Sequence, residues 1–178
     1  MTASRPTAGR TVVIGVGNEF RRDDGVGPAV IERLRGQVPA EVELIVSDGD
    51  PVRLMETLSN ASLAVVVDAV RADPPQPGRR HRFVLGGDRT PGGDRTPGGR
   101  NEGAAGTEPG ARTVASTHGL GLDAALGLAL ALDRMPDRLI VHAIEAAELS
   151  QGRGMTPGVA AAVGAAAAAV RRDIMSAL

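Results

Sequence analysis

Ile14-Gly15-Val16-Gly17-Asn18-Glu19-Phe20-Arg21-Arg22-Asp23-Asp24-Gly25-Val26-Gly27 joins a short apolar run, Thr11 to Val16, to a segment where Val26, Val30 and Leu34 recur at helical spacing. The reading is strand, glycine-bounded loop, helix start. Loops of this kind sit at the carboxyl end of a strand in an α/β sheet, where ligands and chemistry collect. This one carries two adjacent acids, Asp23 and Asp24, rather than a phosphate cradle. That residue choice points to metal or water chemistry.

A dinucleotide fingerprint begins the same way and is the rival reading. Gly15 and Gly17 supply its first two glycines, but Phe20 holds the third position, where a bulky side chain obstructs close helix–strand packing. Asp48 follows the next strand, further on than the usual spacing of about 20 residues for a ribose-binding acid. Asp23 and Asp24 would also set negative charge beside a pyrophosphate. The motif is half matched, so a dinucleotide-binding domain stays the less favoured alternative.

Composition narrows the rest. A chain of 178 residues suits one domain, 1–178, which buries about two-thirds of its unfolded surface without a disulfide or a structural metal. The net charge is −1 and the 20 basic residues, all Arg, are scattered. With Phe20 and Phe83 as the sole aromatic residues, there is neither a basic stripe nor a stacking platform, so no nucleic-acid partner is expected. The absence of Cys excludes thiolate metal sites, disulfides and a cysteine nucleophile. Met1 to Arg10 has no apolar core of a secretion signal, and the apolar stretch Leu120 to Leu132 is too short to span a bilayer. A cytoplasmic location without membrane insertion is expected.

Further along, Glu41–Val46 reads as a second strand and Pro51–Leu58 as a short helix. Leu63–Val67 is continuous and apolar, as in a strand covered on both faces, and it terminates at Asp68. Arg82–Leu85 reads as a short edge strand. From 86 to 112 the composition changes: Gly87-Asp88-Arg89-Thr90-Pro91-Gly92 repeats as Gly93-Asp94-Arg95-Thr96-Pro97-Gly98, which reads as a disordered, Gly/Pro-rich surface insertion. Order resumes at Ser116-Thr117-His118, followed by helix Leu120–Leu132 and strand Arg138–Ile144. Thr156-Pro157 has the form of an N-cap with Pro at the first helical position, opening an Ala-rich C-terminal helix. The alternation predicts a three-layer α/β/α sandwich with a mostly parallel twisted sheet.

Asp24, Asp68 and His118 each fall at a strand end or a helix start, and in a parallel sheet these ends share one edge. Two carboxylates and an imidazole suit Ni²⁺ or Zn²⁺ with open coordination positions. Each residue also has an ordinary reading. Asp23 or Asp24 could cap the first helix, Asp68 could satisfy a turn, and His118 could belong to a cap. His81 sits in an Arg-rich turn, and His142, inside a strand, reads as packed or paired. Asn18 could orient the loop or offer an amide to an oxyanion.

Taken together, the motifs resemble the hydrogenase maturation proteases. Gly15-Val16-Gly17-Asn18 with Asp23-Asp24-Gly25-Val26-Gly27 is similar to the family's opening signature. Asp48-Gly49, Val67-Asp68-Ala69, Ser116 to Leu122 and Gly154-Met155-Thr156-Pro157 follow in the family's order. The resemblance implies an endopeptidase that removes the C-terminal extension of a [NiFe] hydrogenase large-subunit precursor, with Ni²⁺ carried by that precursor. It further implies that Asp24, Asp68 and His118 contact the metal and that Asp24 or Asp68 acts in catalysis, as an aspartic-type base or beside a metal-activated water. Two departures stand out. Asp24 occupies a position often held by Glu, and Ile144-Glu145-Ala146-Ala147 lacks a Glu-Pro-like sequence, which leaves Glu145 without an assigned role. A non-catalytic metal- or precursor-binding module on the same fold is the other alternative.

Overall fold

The computed structural model describes residues 9–86, 100–101, 113–116 and 121–178. Most of the repeat-bearing insertion and His118 lie outside the described residues. The elements, in order, are β1 (Thr11–Val16), a 3₁₀ turn (Arg22–Gly25), α1 (Val26–Leu34), β2 (Val42–Ser47), α2 (Pro51–Leu58) and β3 (Leu63–Asp73). Then come β4 (Arg80–Gly86), β5 (Arg100–Asn101), β6 (Thr113–Ser116), α3 (Gly121–Ala131), β7 (Arg138–Glu145) and α4 (Pro157–Met175).

The sheet runs β2-β1-β3-β7-β4-β5, with β6 on the far half of β3. Strands β2, β1, β3 and β7 are parallel, while β4 runs antiparallel to β7, β5 to β4 and β6 to β3. The central strands β1 and β3 are apolar because helices cover both faces. On one face Val30, Ile31 and Leu34 of α1 and Val159, Val170 and Ile174 of α4 pack on Val13, Val65 and Val67. On the other, Leu54 and Leu58 of α2 and Leu122, Ala125 and Ala129 of α3 pack on Val12, Ile14, Ala64 and Val66. This is the expected three-layer sandwich. Each of its larger aliphatic side chains contributes about 1.5–3 kcal/mol through burial.

Local chemistry sets the helix starts. Asp50 caps α2 by accepting from the Arg53 amide at 2.9 Å, with Pro51 in the first turn. Such a cap is worth about 1 kcal/mol. Helix α1 starts differently. Its N-cap is Gly25, with no side-chain cap bond, so neither Asp23 nor Asp24 caps it. What α1 requires is closeness. A Cβ on Gly27 would lie 2.2 Å from the Val16 carbonyl oxygen and 2.9 Å from that of Val67, and one on Gly15 would lie 2.4 Å from the Gly27 oxygen. The helix–strand packing expected of a glycine at position 20 is thus supplied by Gly27. Phe20 is half exposed and blocks nothing.

Two strand readings need correction. The third strand does not terminate at Asp68: β3 continues to Asp73, because Ala69 and Val70 remain buried, β7 pairs with it as far as Val70, and β6 pairs beyond. The Arg82–Leu85 strand is longer, Arg80–Gly86, and lies between β7 and β5 rather than at the edge. Two residues inside the predicted insertion, Arg100 and Asn101, form β5 against Val84 and Phe83.

One polar staple crosses the α4 layer. Asp173 of α4 accepts a 2.8 Å contact from the buried His142 Nε2 on β7 and a forked pair from Arg82 on β4, at 3.1 and 2.8 Å. Burial alone would raise the Asp173 carboxyl, but His142 and Arg82 outweigh it and hold it at about 2. His142 is therefore paired, as its position in a strand suggested.

Gly27→Ala should destabilise the fold by about 1–3 kcal/mol, since neither opposing carbonyl belongs to a side chain that can swing away. Gly127→Ala on α3, where an added Cβ meets nothing within 4 Å, should be neutral or stabilise by up to about 1 kcal/mol. Urea unfolding of both variants measures the contrast.

Candidate active site

The ladder between β1 and β3 ends at Gly15 and Val67, so Asp68 is the first residue of β3 beyond it. On that side, among the described residues, the next to pair with β3 is Ser116 of β6, opposite Val70. Asp68 thus lies between the β1 and β6 ladders, inside β3 and not at its end. Alternation puts it on the face of Ala64 and Val66, which is the α2/α3 face. It is 1% exposed.

Asp24 reaches the same edge from the 3₁₀ turn, which packs against β3. It is fully buried. Its Oδ2 accepts the Asn18 amide at 3.2 Å and lies 3.6 Å from Arg21 Nη1. Asn18 Oδ1 in turn accepts the Phe20 amide at 2.9 Å, so this side chain orients the loop. Gly17 allows that loop to close: at φ +146°, a Cβ there would lie 1.9 Å from the Asp24 carbonyl oxygen. Asp24 and Asp68 are both buried, and the turn that carries Asp24 packs against the strand that carries Asp68. His118, the third expected member, lies outside the described residues, as do Thr117 and Gly119. Among the described residues, no group of three His, Asp or Glu side chains is arranged to hold a metal.

Asp23 has a different task from its neighbour. Its carboxylate, fully buried, accepts the amides of Ala147, Glu148 and Thr156 at 2.8, 2.9 and 2.6 Å, and the Thr156 hydroxyl as well. Burial pushes its carboxyl up, but the amides of Glu148, Thr156 and Ala147 and the Thr156 hydroxyl prevail and hold it below its ordinary value. Backbone bonds from Arg22 to Gly152, from Gly152 to Phe20 and from Asp23 to Glu148 complete the seam. The β1–α1 loop and the β7–α4 loop therefore move as one piece. Thr156 precedes α4 as expected, with Pro157 first in the helix, but its hydroxyl serves Asp23 instead of capping.

Above this seam lies a cleft of 710 Å³, bordered by Gly17, Phe20, Gly25, Val46, Asp48 and Met155. Arg153 stacks over Phe20 at 4.4 Å from the ring centre and closes one side. Arg22, also on its wall, holds φ +50°, a left-handed conformation that costs a non-glycine residue free energy.

Two roles were not legible in the sequence. Glu145, fully buried at the end of β7, accepts the Gln76 amide at 2.6 Å and meets His81 Nε2 at 2.8 Å, which fastens the β3–β4 connection. His81 accordingly belongs to β4 and not to a turn. The Asp23 seam was the second. Its only trace was an acid beside Asp24 and a Thr before Pro157, over a hundred positions apart in the chain.

The sequence matches no protein-family model and no curated protein. The fold has clear counterparts among solved structures. The hydrogenase maturating endopeptidase HybD of E. coli superposes with a TM-score of 0.68 at 21% identity, over 94% of this chain and 93% of its own. The [NiFe] hydrogenase maturation protease HybD of Thermococcus kodakarensis gives 0.62 at 21% identity, over 92% and 97%. The hydrogenase 2 maturation peptidase of a Thaumarchaeota archaeon gives 0.60 at 20% identity, over 93% and 97%. This chain has the fold of those peptidases over more than nine-tenths of its length. Among the described residues, no helix is long and apolar enough to cross a membrane.

Asp23→Ala would strand three buried amides and should cost about 3 kcal/mol or more. The lowered carboxyl also fixes a pH signature. Its contribution is complete above the unfolded value near 3.8 and is lost as pH falls through the lower folded value. Acid unfolding followed by circular dichroism should therefore show a weaker pH dependence below pH 4 for Asp23→Asn than for the wild type.

Proposed function

We propose that this chain is an endopeptidase that trims the C-terminal extension from a [NiFe] hydrogenase large-subunit precursor once nickel has been inserted. The observation that supports the reading is a fold like that of hydrogenase maturation peptidases that buries two carboxylates, Asp24 in the turn after β1 and Asp68 just beyond the β1 ladder on β3. Burying an ionised carboxylate is costly unless a cation or hydrogen bonds offset it. Asp24 already has the Asn18 amide and Arg21 beside it, and a precursor's nickel would add a further positive charge.

Nickel enters as part of the substrate. Carboxylate oxygens from Asp24 and Asp68 and an imidazole nitrogen from His118 form a donor set that such an ion accepts. A precursor without nickel offers this set nothing to hold, so affinity tracks loading. When bound, the ion supplies Lewis acidity next to the scissile bond. The chain's own residues do the rest. A carboxylate of Asp24 or Asp68 takes a proton from water as its oxygen bonds to the peptide carbonyl carbon. The C–N bond then breaks, and the proton passes to the departing amine. Asn18 keeps Asp24 in place through its backbone amide, and the Asp23 seam fixes the wall of the cleft.

Mass spectrometry of the precursor, incubated with this chain before and after nickel loading, tests the reading. Loss of a C-terminal peptide from the loaded form alone is the expected result. Asp24→Ala, Asp68→Ala and His118→Ala should each lower the rate by at least about 100-fold while remaining folded. Normal processing by all three variants would remove the site assignment.

A further inference from the structure

Among the described residues, no strand pairs with the outer edge of β2. Its sequence, Val42-Glu43-Leu44-Ile45-Val46-Ser47, has no proline or lysine, and it pairs with β1 in unbroken register, without a bulge. Proline, lysine and bulges are among the devices by which proteins protect an edge, and the one charge β2 carries, Glu43, is paired with Arg10. The Ser47 carbonyl accepts the Gly17 amide, so Ser47 faces β1, and alternation turns the backbone groups of Val46, Leu44 and Val42 outward. The Val42 amide is closed off by the Pro39 carbonyl at 3.1 Å. Leu44 and Val46 keep outward N–H and C=O groups that meet no backbone partner among the described residues.

That open end adjoins the cleft. Val46, half exposed, and Asp48 border the 710 Å³ cavity that reaches Gly17 and Gly25 at the Asp24 turn. On the other face of the sheet, Ile45, Arg53 and Thr57 line a second hollow of 340 Å³, again shared with Val46 and Asp48. An extended chain laid along Leu44–Val46 would place alternate side chains in the two hollows, and its continuation would run through the larger cleft toward Asp24.

We infer that the edge of β2 binds the precursor's processed segment as an added β-strand, main chain to main chain at Leu44 and Val46, and feeds it into the cleft. This inference rests on the peptidase reading for the identity of the segment. A second copy of the chain fits the edge less well. Two outward residues offer too short a ladder for the roughly 1,200 Å² that a stable interface buries, whereas a peptide needs only registration.

Val46→Pro removes one outward donor while leaving the β1 ladder intact, since proline is tolerated at an edge when its nitrogen faces outward. It should raise KM for the nickel-loaded precursor about fivefold with kcat unchanged, as the loss of about 1 kcal/mol of hydrogen bonding implies. A measurement independent of that variant uses a synthetic peptide spanning the end of the mature sequence and its extension. Single N-methylations along it should weaken binding at every second residue, and the peptide should slow hydrogen exchange at the Leu44 and Val46 amides. Unchanged KM together with an N-methyl scan that has no period of two would overturn the edge and leave the peptidase reading standing. If wild-type protein fails to cut the loaded precursor yet the peptide protects both amides, the edge stands and the peptidase reading falls. Protection that appears without peptide and grows with protein concentration would assign the edge to a second copy and overturn the inference.

Discussion

At Gly27 the backbone of α1 lies so near the carbonyls of Val16 and Val67 that no side chain, not even a methyl group, has room. The path of the β1–α1 loop depends on this approach. With α1 pressed onto β1 and β3, the chain between Val16 and Val26 must turn back within a few residues. It does so by closing Gly17 onto the Asp24 carbonyl and by winding Arg22–Gly25 into a 3₁₀ turn. The turn carries both acids beneath the surface at the point where β3 loses β1 as a neighbour. Glycines here hold no phosphate. They shorten the distance between a helix and two strands.

Adjacent acids in such a turn diverge, and the two carboxylates consequently do different work. Asp23 is turned toward the β7–α4 loop, where three amides and a hydroxyl saturate it. A charge so fully solvated by the protein rigidifies its surroundings and is poorly suited to chemistry. Asp24 takes the Asn18 amide and Arg21 on one oxygen, in a turn that packs against the strand of Asp68. In the proposed enzyme, stability and reactivity are thus divided between neighbours in sequence. The same turn serves both because Asp23 anchors what Asp24 needs held still. Farther away, Glu145 with His81, and Asp173 with His142 and Arg82, fasten the antiparallel strand β4 to the parallel part of the sheet and to α4.

The layering of the fold was legible because its signals are local. Continuous apolar runs marked β1 and β3, helical spacing marked α1, and Pro51 and Pro157 marked helix starts within a residue. Asp68 was recognised as a site candidate for a position it does not occupy. A lone acid after five apolar residues looks like a terminator, and only the pairing with β7 and β6 reveals that the strand continues around it. Phe20 misled in a similar way: counting glycines at fingerprint spacing presumes that the helix begins at once, but the 3₁₀ turn delays it and transfers the packing role to Gly27. The Asp23 seam and the Glu145 anchor join residues 64 to 133 positions apart, and no local pattern encodes such distances.

The central claim is that Asp24, Asp68 and His118 take hold of nickel already seated in a partner. X-ray absorption at the nickel edge tests it directly, on loaded precursor alone and on its complex with this chain, frozen within the first turnover. The account predicts added oxygen and nitrogen scatterers at about 2.0–2.2 Å in the complex, reduced in number when Asp68 is replaced by Ala. A complex that forms with the nickel coordination unchanged would contradict it.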